Sequence, residues 1–140
     1  MTDSKPFGMI EVAVMELVQA LDPAVTDDLI GGDLSYNGTD DFYVWVGLVS
    51  GSTDETGGEW VVDIDVFDST YGQAMRRSLD LEPLLLRTRG FSGSEMRIDR
   101  VRQNESPAER PWDDDDSAYR VGASYVFVAR RTGAPSATAD

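Results

Sequence analysis

The stretch Trp60-Val-Val-Asp-Ile-Asp-Val-Phe-Asp68 decides the fold of this chain. Side chains of an extended chain alternate between two faces, which separates this stretch into two sets. One set is wholly apolar, and the other carries two carboxylates: Trp60, Val62, Ile64 and Val66 against Val61, Asp63, Asp65 and Phe67. A period of two residues is typical of a strand that buries one face. We therefore predict a β-strand over Glu59–Asp68.

A second strand is predicted immediately before it, over Phe42–Val49. This run is dense in aromatic and β-branched residues and is apolar on both faces, as expected of a central strand. The polar, glycine-rich segment Ser50–Gly58 lies between the two runs and predicts a loop. The simplest arrangement of the two strands is an antiparallel hairpin.

Two helices are predicted on either side of this hairpin. Apolar residues in Met9–Leu21 recur at helical spacing, and Pro23 ends the pattern. The second helix follows Ser69 or Thr70, either of which is a suitable N-cap. Pro83 is expected to kink that helix or to begin a new turn.

The rest of the chain predicts two further strands and a flexible end. Glu95–Gln103 is a weaker strand in which Val101 is out of register, as a β-bulge would make it. Tyr119–Arg131 is a long alternating strand. Between them, Asn104–Ser117 is predicted to be a mobile loop because it holds two prolines and four consecutive aspartates. The small residues of 132–140 predict a flexible C-terminal tail.

Two other segments of the chain give weaker structural signals. Gly90 to Gly93 predicts a break, and a short strand is possible near Leu34–Tyr36 within a loop-like region. Together these elements predict an α+β fold in one domain, residues 1–131. Its expected architecture is a single antiparallel sheet of about four strands with both helices packed on one face.

Composition excludes several classes of chemistry. The 140 residues include no cysteine and no histidine, which removes thiol nucleophiles, histidine-based triads and structural zinc sites. No secretory signal or membrane-spanning apolar run is evident, so we expect a soluble protein made in the cytoplasm. We predict no enzyme activity, no catalytic residue and no cofactor.

Charge is unevenly distributed along the chain. Residues 1–68 hold 15 acidic residues and one lysine, and residues 69–140 hold 11 acidic residues and 11 arginines. The net charge of −14 therefore belongs to the first half. An acidic half and an arginine-bearing half suit a head-to-tail contact between subunits. The candidate interface residues are Asp63, Asp65, Arg120 and Arg130. An ordinary solvated face is the alternative.

Asp63 and Asp65 also raise the possibility of a metal site. Two carboxylates on one side of a strand can hold Mg²⁺ or Ca²⁺ through oxygen. A solvated polar strand face explains them better, because no phosphate-binding or proton-transfer residue accompanies them in the sequence. The run Asp113–Asp116 lacks the alternation and the central glycine of a calcium loop. We therefore predict no metal site.

The stretch Trp60–Asp68, entering a helix that bears Ala74 and Leu79, is similar to the centre of the tail terminator (tail-completion) proteins of long-tailed bacteriophages. The run Tyr119-Arg-Val-Gly-Ala-Ser-Tyr-Val-Phe-Val-Ala-Arg130 resembles their last strand. The N-terminal helix and the length also match, so the resemblance covers nearly the whole chain. It departs from the family at the Asp113–Asp116 run and at the long Ser50–Gly58 loop.

The resemblance implies a structural virion protein at the head-proximal end of the tail. It implies a hexameric ring that caps the tail tube, ends tube polymerisation and contacts the tail tube protein and the head–tail connector. DNA would pass through the ring without sequence-specific binding. Alternatives are a neck adaptor or minor tail protein, a metal-dependent enzyme using Asp63 and Asp65, and a monomeric binding module of a bacterial host.

Overall fold

The computed structural model describes residues 9–32, 42–54, 57–110 and 118–131. Two helices and six strands are formed by these residues. In chain order they are α1 (Met9–Leu21), a 3₁₀ turn (Asp27–Leu29), β1 (Ile30–Gly31), β2 (Phe42–Thr53), β3 (Gly58–Asp68), α2 (Tyr71–Leu86), β4 (Arg89–Ser92), β5 (Met96–Arg110) and β6 (Tyr119–Arg131).

The strands form one sheet in the order β1-β2-β3-β6-β5-β4. The pairing of β1 with β2 is parallel, and the other neighbours are antiparallel. The sheet is mixed and curls into a half-barrel. The predicted fold, an antiparallel sheet of about four strands, is therefore wrong. The additional strands, β1 and β4, lie at the two edges of the sheet, and both are too short to show a clear apolar alternation.

β5 accounts for part of this difference. The segment from Asn104 was predicted to be a loop, but β5 continues to Arg110 and pairs with β6 along that length. Register shifts fall between Gln103 and Glu105 and between Glu105 and Ala108. Pro107 lies inside the second shift, and irregularities on an outer strand are where a sheet tolerates a residue without a backbone N–H.

Two short strands were not predicted. β4 occupies the segment in which Gly90 and Gly93 predicted a break, and Gly90 has a positive φ of 74°. β1 contributes two residues and pairs with Val44 and Trp45. The short strand predicted near residues 34–36, the aspartate run at 113–116 and the tail at 132–140 lie outside the described residues.

Several local predictions are confirmed. α1 has the predicted bounds, and β2 and β3 form the predicted antiparallel hairpin. The predicted bulge near Val101 is present as a register shift between Ile98 and Arg100. The Thr70 hydroxyl accepts a hydrogen bond from the Gln73 backbone N–H, 3.2 Å away, and so caps α2. α2 continues through Pro83 to Leu86, so Pro83 does not begin a new helix.

Both helices pack against the same face of the sheet. The main core includes Leu17 of α1, Leu85 of α2 and Val62, Ile64 and other alternate residues of the strands. We call the opposite side the helix-free face. It carries a smaller apolar cluster of Tyr43, Phe67, Ala118 and Trp45. In the described part of the chain no helix is both long and apolar enough to cross a membrane.

Candidate subunit interface

Asp63 and Asp65 project from β3 onto the helix-free face. Their positions follow from alternation, because Val62 and Ile64 on the same strand belong to the core beneath the helices. Asp65 has no exposed side-chain surface, and the side chain of Asp63 is 17% exposed. The expectation of a solvated face is therefore wrong for Asp65. Burial of a carboxylate requires a compensating charge close by.

Two arginines supply that charge. Arg120 Nε lies 2.7 Å from Asp65 Oδ2, and Arg110 Nη1 lies 3.1 Å from Asp63 Oδ2 and 3.8 Å from Asp65 Oδ1. Glu105 adds a longer contact to Arg110, at 3.6 Å. Arg110 and Arg120 are directly opposite each other on β5 and β6. The ion-pair cluster consists of these five residues and joins three neighbouring strands.

Gly122 makes room for this cluster. It lies on β6 and pairs with Asp65 of β3 and Ala108 of β5. A Cβ atom at position 122 would collide with the side chain of Arg110 and with Asp65 Oδ1. Glycine is therefore needed here so that Arg110 can reach across β6 to the carboxylates of β3.

The cluster changes the ionisation of its members. Burial raises the pKa of Asp65 above its ordinary value, and the positive charges of Arg110 and Arg120 offset part of that rise. For Arg110, burial acts to lower the pKa, but the carboxylates of Asp65, Asp63 and Glu105 together raise it. Desolvation therefore determines the direction of the pKa shift at Asp65, whereas the summed attraction of the carboxylates determines it at Arg110.

Arg120 is also held by aromatic rings. The guanidinium carbon lies 5.2 Å from the centre of the Trp45 ring and 5.4 Å from that of Phe67, both within cation–π range. The Trp45 indole N–H donates a hydrogen bond to the Gly32 carbonyl at 2.8 Å, which fixes the ring. Arg120 is therefore part of the packing of its own subunit.

Arg130 lies at the other end of β6 and outside the ion-pair cluster. Its Nε is 3.6 Å from Asp99 Oδ1, and Arg97 Nε is 3.4 Å from the same oxygen. The side chain of Arg130 is 36% exposed. Of the four candidate interface residues, the structure thus brings together Asp63, Asp65 and Arg120 and places Arg130 elsewhere. Their role in a subunit contact stays a prediction.

Arg110, Asp99 and Gly122 were not predicted from the sequence. Arg110 lies in the segment predicted to be a loop, and the bulges of β5 remove the alternation that could have revealed it. Asp99 had a usable signal, because it follows Arg97 by two residues on the same strand. Gly122 had none, since its importance depends on Arg110 crossing the strand.

An open cleft of about 660 Å³ lies away from these residues, between α2, the segment that follows α1, the start of β2 and the end of β3. Arg77 is stacked on the Phe42 ring, 3.5 Å from its centre, and Nη1 of Arg77 lies 3.1 Å from Asp22 Oδ2. The carboxylate of Asp68, also in the lining, accepts the Ser69 N–H at 2.6 Å. Among the residues that the structure describes, no three acidic side chains are grouped to hold a metal ion.

Comparison with known proteins identifies a structural neighbour. No protein-family model matches the chain, and no curated protein matches its sequence. The fold is similar to that of a chain in a solved structure described as the virion of a native gene transfer agent (GTA) particle. The TM-score is 0.58 at 13% identity, and the match covers 87% of this chain and 94% of that chain. At this identity the likeness shows a shared fold.

Proposed function

We propose that this chain is a structural protein of a phage-like virion. The observation that carries the proposal is the fold shared with the GTA virion chain over nearly the full length of both proteins. The match covers 87% of this chain and 94% of that chain, so most of both folds is shared. Fold alone does not determine function, so the site must support the same conclusion.

The candidate site supports a non-enzymatic role. Asp63 Oδ2 accepts a hydrogen bond from Arg110 and Asp65 Oδ2 accepts one from Arg120, so one oxygen of each carboxylate is engaged by a guanidinium group. An arginine–carboxylate cluster of this kind ties strands together. We therefore propose that the helix-free face serves assembly, and that the carboxylates of β3 have no part in hydrolysis.

Within the virion, the proposed role is that of a tail terminator. The chain would form a ring, hexameric in the family it resembles, at the head-proximal end of the tail tube. The ring would stop tube polymerisation and present a surface to the head–tail connector. An acidic first half and 11 arginines in the second half support a head-to-tail contact between copies. Of the predicted interface residues, Arg130 has the exposure such a contact needs.

Deletion of the coding sequence from the parent particle tests this role. Loss of a terminator removes the cap on tube growth, so we expect tails of uncontrolled length or heads without tails in electron micrographs. Supplying the wild-type chain from a plasmid should restore particles of uniform length. Normal tails joined to heads in the deletion would contradict the terminator role. Uniform, complete tails that fail to attach would instead indicate the neck adaptor.

A further inference from the structure

Several arginines of the sheet are directly opposite each other on neighbouring strands, and these pairs differ in how many carboxylates neutralise their charge. Three pairs of arginines are directly opposite each other on neighbouring strands: Arg110 with Arg120, Arg97 with Arg130, and Arg89 with Arg100. Like charges at such positions repel unless a carboxylate lies between them. The first pair has three carboxylates within ion-pair distance, from Asp63, Asp65 and Glu105.

The other two pairs have far less compensation. Arg97 and Arg130 share the single carboxylate of Asp99. Arg100 is exposed, and within the described residues it makes no ion pair; Arg89 donates only to the Leu86 and Thr88 carbonyls. Within the described residues, these two pairs therefore hold four arginines and one ion-paired aspartate, on β4, the start of β5 and the end of β6. We call this group, Arg89, Arg97, Arg100 and Arg130, the arginine edge.

Strand register places a different surface at the same level on the opposite edge of the sheet. Arg100 is level with Val128, Glu59 and Ser52, and Phe91 is level with Ile98, Ala129, Gly58 and Thr53. The edge of β2 from Leu48 to Thr53 has no charged residue, and Leu48 and Val49 are exposed there. The exposed acidic residue Asp54 follows directly. We call Leu48 to Asp54 the β2 edge.

The two edges also differ in how they are protected against pairing. The outer part of β5 from residue 101 to 110 carries Arg102, Glu105, Glu109, Pro107 and two register shifts, all of which discourage addition of a strand. Between Leu48 and Thr53 the β2 edge has a bulge and no charged residue. An uncharged, partly apolar edge beside an acidic turn suits a contact with an apolar centre and a charged rim.

We propose that the arginine edge of one copy docks against the β2 edge of the next copy. This inference rests on the proposed ring and names its contact surfaces. Rotation about an axis parallel to the strands does not shift a copy along the strand direction. Residues that lie at the same position along the strands, on the two edges of the sheet, therefore meet between neighbouring copies. The surplus positive charge of the arginine edge then faces Asp54 of its neighbour.

Disulfide trapping tests the contact directly, because the chain has no cysteine of its own. The variant Thr53→Cys/Ser92→Cys places one thiol on each edge and keeps every arginine. Within one subunit, Thr53 on β2 and Ser92 on β4 are separated by four strand spacings, about 19 Å along the sheet. A disulfide needs the two Cα atoms to lie within about 7 Å. Any disulfide between positions 53 and 92 therefore joins two copies. We expect oxidation of the purified protein to give a ladder of multimers.

Two controls make the result specific. Thr53→Cys/Ala108→Cys moves the second thiol to the opposite end of β5 and should give no 53–108 ladder. Adding Arg100→Glu to the trapping variant should reduce the yield several-fold, and added salt should also reduce it. Arg76→Glu, an equal charge change at an exposed position of α2, should leave the yield unchanged.

Absence of a 53–92 cross-link, both in the free protein and in assembled particles, would reject this interface. A ring seen in particles without that cross-link would keep the proposed function and still reject the contact. Dimers joined only through 53–53 or 92–92 disulfides would also overturn it. If Arg100→Glu weakened retention of a double-stranded DNA fragment and no 53–92 cross-link formed in the trapping variant, the arginine edge would serve nucleic acid, and the second-copy proposal would fail.

Discussion

At the scale of single residues, the ion-pair cluster shows how one glycine permits a buried charge network. Gly122 leaves the space in which Arg110 crosses β6 to reach the carboxylates of β3. Asp65, without any exposed side-chain surface, then finds two guanidinium groups nearby. Removing one member of a buried pair leaves the other charge without compensation, which is the costly outcome.

Gly122→Ala tests the space requirement. The added methyl group overlaps Arg110 and Asp65, so we expect a loss of about 1–3 kcal/mol in the free energy of unfolding. Gly72→Ala is the matched control, because a Cβ there meets nothing within 4 Å. That control should be neutral or more stable by up to about 1 kcal/mol, since alanine favours the helix. Denaturant unfolding measures both, and equal stabilities for the two variants would contradict the account.

Asp65→Asn tests the electrostatic environment through pH. Because burial raises the folded-state pKa of Asp65, the folded protein keeps that proton at a pH where the unfolded chain has released it. The stability from this group is full below the ordinary carboxyl pKa of about 4 and is lost as the pH rises through the folded pKa. Asparagine does not titrate. We therefore expect the unfolding free energy of wild type minus that of the variant to fall as the pH rises.

The measurement is denaturant unfolding at several pH values and constant ionic strength. A difference that increases with pH would mean that the attraction of Arg110 and Arg120 outweighs burial at Asp65, and the expected direction would then be wrong.

At the scale of elements, the strands with a strong apolar pattern were predictable, and those without one were not. β2, β3 and β6 carry the apolar pattern of the core, and α1 has the predicted bounds, because burial of one face imposes a period on the sequence. β4 and the second half of β5 lack that pattern. β4 has a positive-φ glycine, and β5 has register shifts around Pro107. Pairing with a neighbour, which leaves no local signal, makes these segments strands.

The candidate site was predictable to the same extent. Alternation placed Asp63 and Asp65 on one face correctly, but it could not show that Arg110 and Arg120 would cover them. Arg120 was predicted to lie at a subunit interface or on a solvated face, yet Trp45 and Phe67 beside it partly enclose its side chain. Phe67 is directly opposite Arg120 on β3, and Trp45 lies on the next strand, β2, so the enclosure depends on the pairing of three strands.

Arg110→Ala tests whether the ion-pair cluster holds the end of β5. We expect a loss of roughly 2–4 kcal/mol, somewhat below the range for a fully buried pair, because the Arg110 side chain is 24% exposed. Amide exchange should accelerate for residues 105–110 more than for α2. Arg102 lies on β5 like Arg110 and makes an exposed ion pair with Glu59 of β3. Arg102→Ala should therefore cost under about 1 kcal/mol. Similar costs for the two variants would show that the cluster does not secure β5.

At the scale of the whole molecule, the fold is shared with a virion chain at 13% identity. Such divergence is possible because a core needs apolar residues of suitable volume at the buried positions, and many sequences meet that requirement. The charge pattern is a separate property of this chain. Its first-half strands, β1 to β3, and its arginine edge lie in opposite halves of the strand order, an arrangement that suits a head-to-tail contact.

Cryo-electron microscopy of the assembled particle is the most direct test of the claim that this chain caps the tail as a ring. We expect several copies in a closed ring at the head-proximal end of the tail tube, with each copy contacting two neighbours through different surfaces. A single copy at that position, or a dimer related by two-fold symmetry, would contradict the account.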